Sequence, residues 1–304
     1  LDTYRKFTGQ DPSETPMKIF PAVHYSMGGL WVDYEDDGHG MIDQNSVRNQ
    51  MTSIQGLYAA GEADYQYHGA NRLGANSLLS CIYSGLLVGR AVFNYSKNMD
   101  MAHEDVSSSV YEGEETIWNN RFEGMKRMNG KENPYSLHSE LGELLLENVL
   151  IVRENSKLSA TLEKLDDIET RFKDVKCLDT THWSNPVPSF INQLRCMIQL
   201  SKIITKGALL RDEFRGAHYK PEFDLNQPKG FDPHEYIDYI ERTHYEEVAD
   251  SDFPSGHVEY MKRFQANNEK WLKSTIAQFK DGEPDITYEE VNSSEITPRP
   301  RKYD

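Results

Sequence analysis

Apolar and polar positions follow different rhythms along the chain. Near the amino end, short apolar runs stop at glycine: Ile19-Phe-Pro-Ala-Val23 leads into His24-Tyr-Ser-Met-Gly-Gly29, and Leu57-Tyr-Ala-Ala60 into Gly61-Glu62. Runs of this length bounded by turn residues predict buried strands. Between them, Leu30-Trp-Val32, the polar turn Asp36-Asp-Gly-His-Gly40 and Met41-Ile-Asp43 predict a hairpin-like section. After the second run, Asn76 or Ser77 is placed to cap a helix that carries Leu78, Leu79, Ile82, Leu86 and Ala91 at helical spacing. Gly85 and Gly89, one turn apart, would let that helix press against a sheet. The pattern predicts an α/β piece over 21–97. Residues 1–20 read as the last strand of a neighbouring domain and its return linker, through Gly9-Gln-Asp-Pro-Ser-Glu-Thr-Pro16.

Beyond Lys97 the period lengthens. Met101 to about Asn133 is polar and poorly periodic, and reads as a connection. Three amphipathic helices are then predicted. The first runs from Leu137 to Arg153 with Leu141, Leu144, Leu145, Val149 and Val152 on one side, and the second from Leu158 to Phe172. The third begins after Pro188 and repeats Phe190, Leu194, Met197, Ser201, Ile204 and Ala208 in steps of four and three, the spacing of a helix packed at a shallow angle. Together they predict a three-helix bundle over 98–219, closed by Arg211-Asp-Glu-Phe-Arg-Gly-Ala-His-Tyr219 with Gly216 as a left-handed helix cap. Residues 220–304 read as a small mixed domain with strand-like runs at 271–279 and 286–291. The fold class expected is α/β plus α.

Charge and composition narrow the function. Across 304 residues, 33 basic against 49 acidic side chains give a formal net charge of −16, which disfavours nucleic acid or anionic lipid as a broad surface partner. With 38% hydrophobic residues and a mean hydropathy of −0.71, direct membrane insertion is not expected. Cys81, Cys177 and Cys196 show neither CxxC nor Cys/His spacing, so no disulfide framework and no metal site is expected. Asp33, Glu35, Asp36 and Asp37 lack the spacing of a calcium loop and read as a solvated turn. No Gly-x-Gly-x-x-Gly follows any strand-like run.

The chemistry concentrates in His68-Gly-Ala-Asn-Arg-Leu-Gly-Ala-Asn-Ser-Leu-Leu-Ser80 and in His24. Taken singly, the arginine reads equally well as a surface residue on an ordinary strand-loop-helix unit, and His24 reads more readily as a hydrogen-bonded structural histidine at a strand end. Together they suit a dicarboxylate. A guanidinium grips one carboxylate through two parallel N–H bonds, an imidazole donates to the other, and a helix N-terminus nearby favours negative charge.

The blocks HYSMGG (24–29), GLYAAGE (56–62) and HGANRLGANSLL (68–79) resemble the flavoprotein subunit of succinate dehydrogenase and fumarate reductase. The likeness returns at Arg215-Gly-Ala-His-Tyr-Lys-Pro-Glu222, Lys270-Trp-Leu-Lys-Ser-Thr275 and Pro298-Arg-Pro-Arg-Lys-Tyr303. It implies that 1–20 is the end of a capping domain, that 21–97 is the C-terminal part of an FAD-binding, Rossmann-like domain, and that hydride passes between a succinate methylene and FAD. His24 and Arg72 match the family's substrate-binding residues, Glu62 an FAD-contacting glutamate, and Asn76, Ser77 and Leu78 the helix start that meets the isoalloxazine ring. His68 is left as a supporting residue.

The family's dinucleotide fingerprint, FAD-linking histidine and proton-transfer arginine belong to its first half. This chain is therefore expected to be a carboxyl-terminal fragment, inactive alone. The implied partners are an iron-sulfur subunit, membrane anchor subunits and a quinone, with a peripheral place on the cytoplasmic side of the inner (plasma) membrane in respiratory complex II. An L-aspartate oxidase-like flavoenzyme and a non-catalytic fragment that only binds partner subunits remain alternatives.

Overall fold

The computed structural model describes residues 2–17, 25–39, 41–64, 67–234, 237–238, 255–293 and 298–300. The chain divides into two compact units, Leu1–Asn98 and Met99–Asp304.

The first unit opens on helix α1 (Asp2–Thr8), which buries none of its residues; where the sequence pattern predicts the end of a strand, the structure has a helix. Its centre is a set of single backbone pairings. Asp33 N–H donates to Met51 O at 2.8 Å and Gln50 N–H to Asp33 O at 2.9 Å, while Asp36 pairs with Ile42 across the expected polar turn. Leu57 to Ala60 contributes one antiparallel bridge, Met51 with Tyr58, and no regular strand. An apolar run becomes a strand only where neighbouring strands pair with it. Among the described residues none does so on both sides.

Helix α2 (Asn76–Lys97) buries Ser80, Ser84, Leu87 and Ala91. Leu78, Leu79, Ile82 and Leu86, expected on the packed side, are exposed, and among the described residues nothing lies within 4 Å of where a side chain at Gly85 or Gly89 would stand. The small, hydroxyl-bearing face is the one covered here. By length and composition alone α2 is long and apolar enough to cross a membrane, a test that the core helix of a soluble protein also passes.

The second unit begins with helix α3 (Ser108–Lys126) inside the stretch expected to be irregular. Ser107 caps it by accepting from Ser109 N–H. Its weak signal has a cause: Met125 is its only buried residue, and Val110, Tyr111, Ile117 and Trp118 face solvent. Helices α4 (Pro134–Asn148), α5 (Asn155–Phe172) and α6 (Val187–Leu210) form the expected bundle around Leu137, Leu141, Leu144, Leu165, Ile168, Ile191, Leu194 and Ile198. The inward stripe of α6 is Ile191, Leu194, Ile198, Ser201, Thr205 and Ala208, so Phe190, Met197 and Ile204 fall beside the seam. Phe190 instead stacks on Tyr135, with centroids 4.5 Å apart.

Lys220, not Gly216, closes the carboxyl end of α6. Its fully buried ammonium donates to the carbonyls of Ala208, Leu209 and Arg211 at 3.1–3.2 Å and pairs with Asp212 at 2.9 Å. Gly216 has the expected left-handed conformation (φ +56°), but uses it in a tight turn between Arg215 and His218. Helix α7 (Ser255–Trp271) leads into strands β1 (Lys273–Lys280) and β2 (Glu283–Glu290), an antiparallel hairpin turning at Asp281-Gly282, both at positive φ. The hairpin packs on α6, and the Arg211 guanidinium, through Lys273 O (2.8 Å) and Thr275 Oγ1 (3.0 Å), ties β1 to the helix end.

Candidate functional site

Two close backbone approaches build the site in the first unit. Leu30 N–H donates to Ala63 O at 2.8 Å, and a Cβ on Gly29 would lie 2.4 Å from that same oxygen, so only glycine lets residues 25–30 run beside residues 61–64. Gly61 turns at φ +71° against Cys81 of α2, and its N–H donates to Ser84 Oγ at 2.8 Å. Glu62, Tyr25, Ser26 and the start of α2 are thereby brought together.

The start of α2 differs from the sequence expectation. Neither Asn76 nor Ser77 caps it; the capping position is Ala75, left-handed at φ +65°, with no side-chain hydrogen bond. The positive end of a 22-residue helix therefore has no side chain of its own across it. Glu62, exposed, accepts from Ser26 N–H at 2.8 Å. The Arg72 guanidinium carbon stands 5.1 Å from the centre of the Tyr25 ring, and Arg72 Nη1 donates to Leu73 O at 3.3 Å. His24 lies outside the described residues, so the expected pairing of His24 with Arg72 has no distance.

His68 meets the Tyr25 ring edge-on, with centroids at 5.2 Å, and its buried Nε2 has no hydrogen-bond partner. Burial, and then the nearby Arg72 charge, lower its pKa and favour the neutral imidazole. Behind it is a buried polar network. The Gln50 oxygen accepts from the Tyr34 hydroxyl and, at 3.0 Å, from the Tyr67 hydroxyl; the Gln50 amide nitrogen donates to Asp64 Oδ2 at 2.8 Å and Ala59 O at 2.9 Å. Burial pushes the Tyr67 phenol up to about 12, so it stays a donor at neutral pH. The sequence pattern missed Tyr25, Ser26, Tyr67, Ser80 and Ser84, although Tyr25 and Ser26 lie inside the HYSMGG block.

The donor set fits a flavin cofactor: an uncapped helix N-terminus and an orphaned buried imidazole nitrogen offer hydrogen-bonding capacity that the described protein atoms leave unused. Among the described residues no cluster of His, Cys, Asp or Glu could hold a metal ion.

Comparison with known proteins agrees. Residues 2–78 match an FAD-binding domain, which makes this a flavoprotein with FAD as its cofactor. Residues 138–303 match the C-terminal domain of the fumarate reductase flavoprotein, and the chain belongs to the succinate dehydrogenase and fumarate reductase flavoprotein family. It is 41% identical to the succinate dehydrogenase flavoprotein subunit of Bacillus subtilis over 305 residues, covering 100% of this chain and 43% of that protein. It is 25% identical to the fumarate reductase flavoprotein subunit of Haemophilus influenzae, covering 98% and 40%. Among solved structures, E. coli quinol fumarate reductase shares the fold at a TM-score of 0.69 and 24% identity, over 99% of this chain and 42% of that one. Mycobacterium smegmatis Sdh1 aligns at a TM-score of 0.58 and 26% identity, over 73% and 34%. The chain thus spans about two fifths of the length of these relatives.

Proposed function

We propose that this chain forms the carboxyl-terminal part of a flavoprotein subunit that interconverts succinate and fumarate. When bound, FAD supplies a two-electron acceptor that takes hydride from a saturated carbon. The residues of this chain bind and orient. Arg72 holds one substrate carboxylate through a two-pronged grip and His24 donates to the other, so that the carbon to be oxidised is fixed in place. Glu62, Asn76, Ser77 and Leu78 hold the cofactor, with the amino end of α2 favouring negative charge on its reduced form. Proton transfer is assigned to no residue of this chain, because the resemblance gives it to an arginine in the family's first half. In this reading 1–20 ends a capping domain, 21–97 completes the FAD-binding domain, and 98–219 and 220–304 are the helical and small carboxyl-terminal domains. The exposed apolar side of α2 is covered by the rest of the flavin domain.

Electrons leave through an iron-sulfur subunit to a quinone, with anchor subunits holding the complex at the cytoplasmic side of the membrane. The observation that carries the reading is the Arg72 guanidinium set over Tyr25 beside an uncapped helix N-terminus. The test is anaerobic flavin bleaching in the full-length subunit. Succinate is expected to bleach the flavin and L-aspartate to leave it oxidised. Bleaching by aspartate alone would give the site to an amino-acid oxidase, and bleaching by neither would refute the proposal.

A further inference from the structure

Tyr25 is held on three sides. Its hydroxyl lies 3.2 Å from Ser80 Oγ, and Ser80 donates to Ser77 O at 2.8 Å in the first turn of α2. With the Ser80 proton directed to that carbonyl, Tyr25 is the donor of the first bond. The edge-on contact with His68, at an interplanar angle of 83°, fixes the ring's tilt. Its neighbour in sequence, Ser26, is tied through its own N–H to Glu62. The face so fixed is the one that carries the Arg72 guanidinium at 5.1 Å.

A free arginine side chain samples many rotamers, and ordering it when a ligand arrives opposes binding. A planar guanidinium on an aromatic face is ordered beforehand, its charge attracted by the ring quadrupole. We propose that Tyr25 is a positioning residue for Arg72: its ring, pinned by Ser80 and His68, sets the plane in which the guanidinium meets a substrate carboxylate. The inference rests on the reading of Arg72 as the carboxylate ligand. It assigns the effect to the ring and only a minor share to the hydroxyl.

The test uses the full-length, flavin-loaded subunit, titrated with malonate and followed by the flavin difference spectrum in Tyr25→Phe, Tyr25→Leu, Arg72→Ala and the Tyr25→Leu/Arg72→Ala double variant. Tyr25→Leu is expected to raise the malonate dissociation constant about tenfold, the scale of a desolvated cation–π contact. Tyr25→Phe should stay within about twofold of wild type, because it keeps the face. Adding Tyr25→Leu to Arg72→Ala should cost nothing further, since the ring then has no guanidinium to place. Should Tyr25→Leu fail to fold, Tyr25→Met carries the same expectation. If Arg72→Ala weakens malonate and Tyr25→Leu does not, or if Tyr25→Phe is as damaging as Tyr25→Leu, this inference is wrong while the site stands. If Arg72→Ala leaves malonate affinity unchanged, the site reading fails and takes this one with it.

Discussion

Arg153 Nη1 donates to His218 Nδ1 across 2.7 Å, and the other ring nitrogen of His218 donates to Arg211 O at 2.8 Å. That pair of bonds is available only to a neutral imidazole with its proton on Nε2. Burial first, and then the Arg153 charge, push the His218 pKa down to about 4. Arg153 leads from α4 into α5, and Arg211 ends α6, so the histidine joins the ends of the bundle.

An acid-sensitive second unit follows from this histidine. Its folded pKa is depressed below the unfolded value near 6.5, so its contribution is fully present above about pH 6.5 and is lost as the pH falls toward 4. The linked loss is on the order of 3 kcal/mol. Urea unfolding of the intact protein at steps between pH 7 and pH 4 should show this decline, and His218→Gln should flatten it. An equal decline in the variant would place the acid sensitivity elsewhere.

Lys220 should behave as a structural cap. Lys220→Met removes the donor to the Ala208 and Leu209 carbonyls and one of two donors to Arg211 O, and takes the cation from Asp212, which is expected to cost about 3 kcal/mol. Denaturant midpoints of wild type and variant measure it. A change below about 1 kcal/mol would mean that water replaces the ammonium without loss.

The 304 residues contain no Gly-x-Gly-x-x-Gly and span 43% of the Bacillus subtilis relative. Expressed by themselves, they are expected to bind FAD weakly and to oxidise no succinate, because a dinucleotide's pyrophosphate is held by that fingerprint and its helix. Equilibrium dialysis with FAD and a dye-linked succinate assay decide it. Stoichiometric flavin with turnover would overturn the expectation.

The bundle was legible because Leu141, Leu144, Leu165 and Leu194 repeat at helical spacing and are buried where the period puts them. Helix α3 was not, because its only buried residue is Met125 and a helix without an apolar stripe leaves no period to read. The strand expected at Leu57 to Ala60 does not form for the converse reason: the run has a strand's composition, but pairing depends on partners distant in sequence, and the run expected at Ile19 to Val23 lies outside the described residues. The two C-terminal strand-like runs were legible to within a few residues, but their pairing as a hairpin through Asp281-Gly282 was not read from them. At the site, Arg72 and Glu62 could be singled out by residue type and motif. Tyr25 and Ser80 could not, since they are 55 residues apart and meet only when the loop folds onto α2.

In the proposed site Arg72 and His24 hold a dicarboxylate over the flavin while His68 supports them. The most direct measurement of this is the dissociation constant for malonate, from flavin difference spectra of the full-length subunit carrying Arg72→Lys, His24→Ala or His68→Ala. Arg72→Lys keeps the charge and loses the two-pronged grip, and His24→Ala loses a hydrogen bond to charge, so each should weaken malonate about tenfold or more with flavin content and stability little changed. His68→Ala should be milder, because no substrate contact is assigned to it. Wild-type malonate affinity in both Arg72→Lys and His24→Ala would remove the two residues from the substrate site.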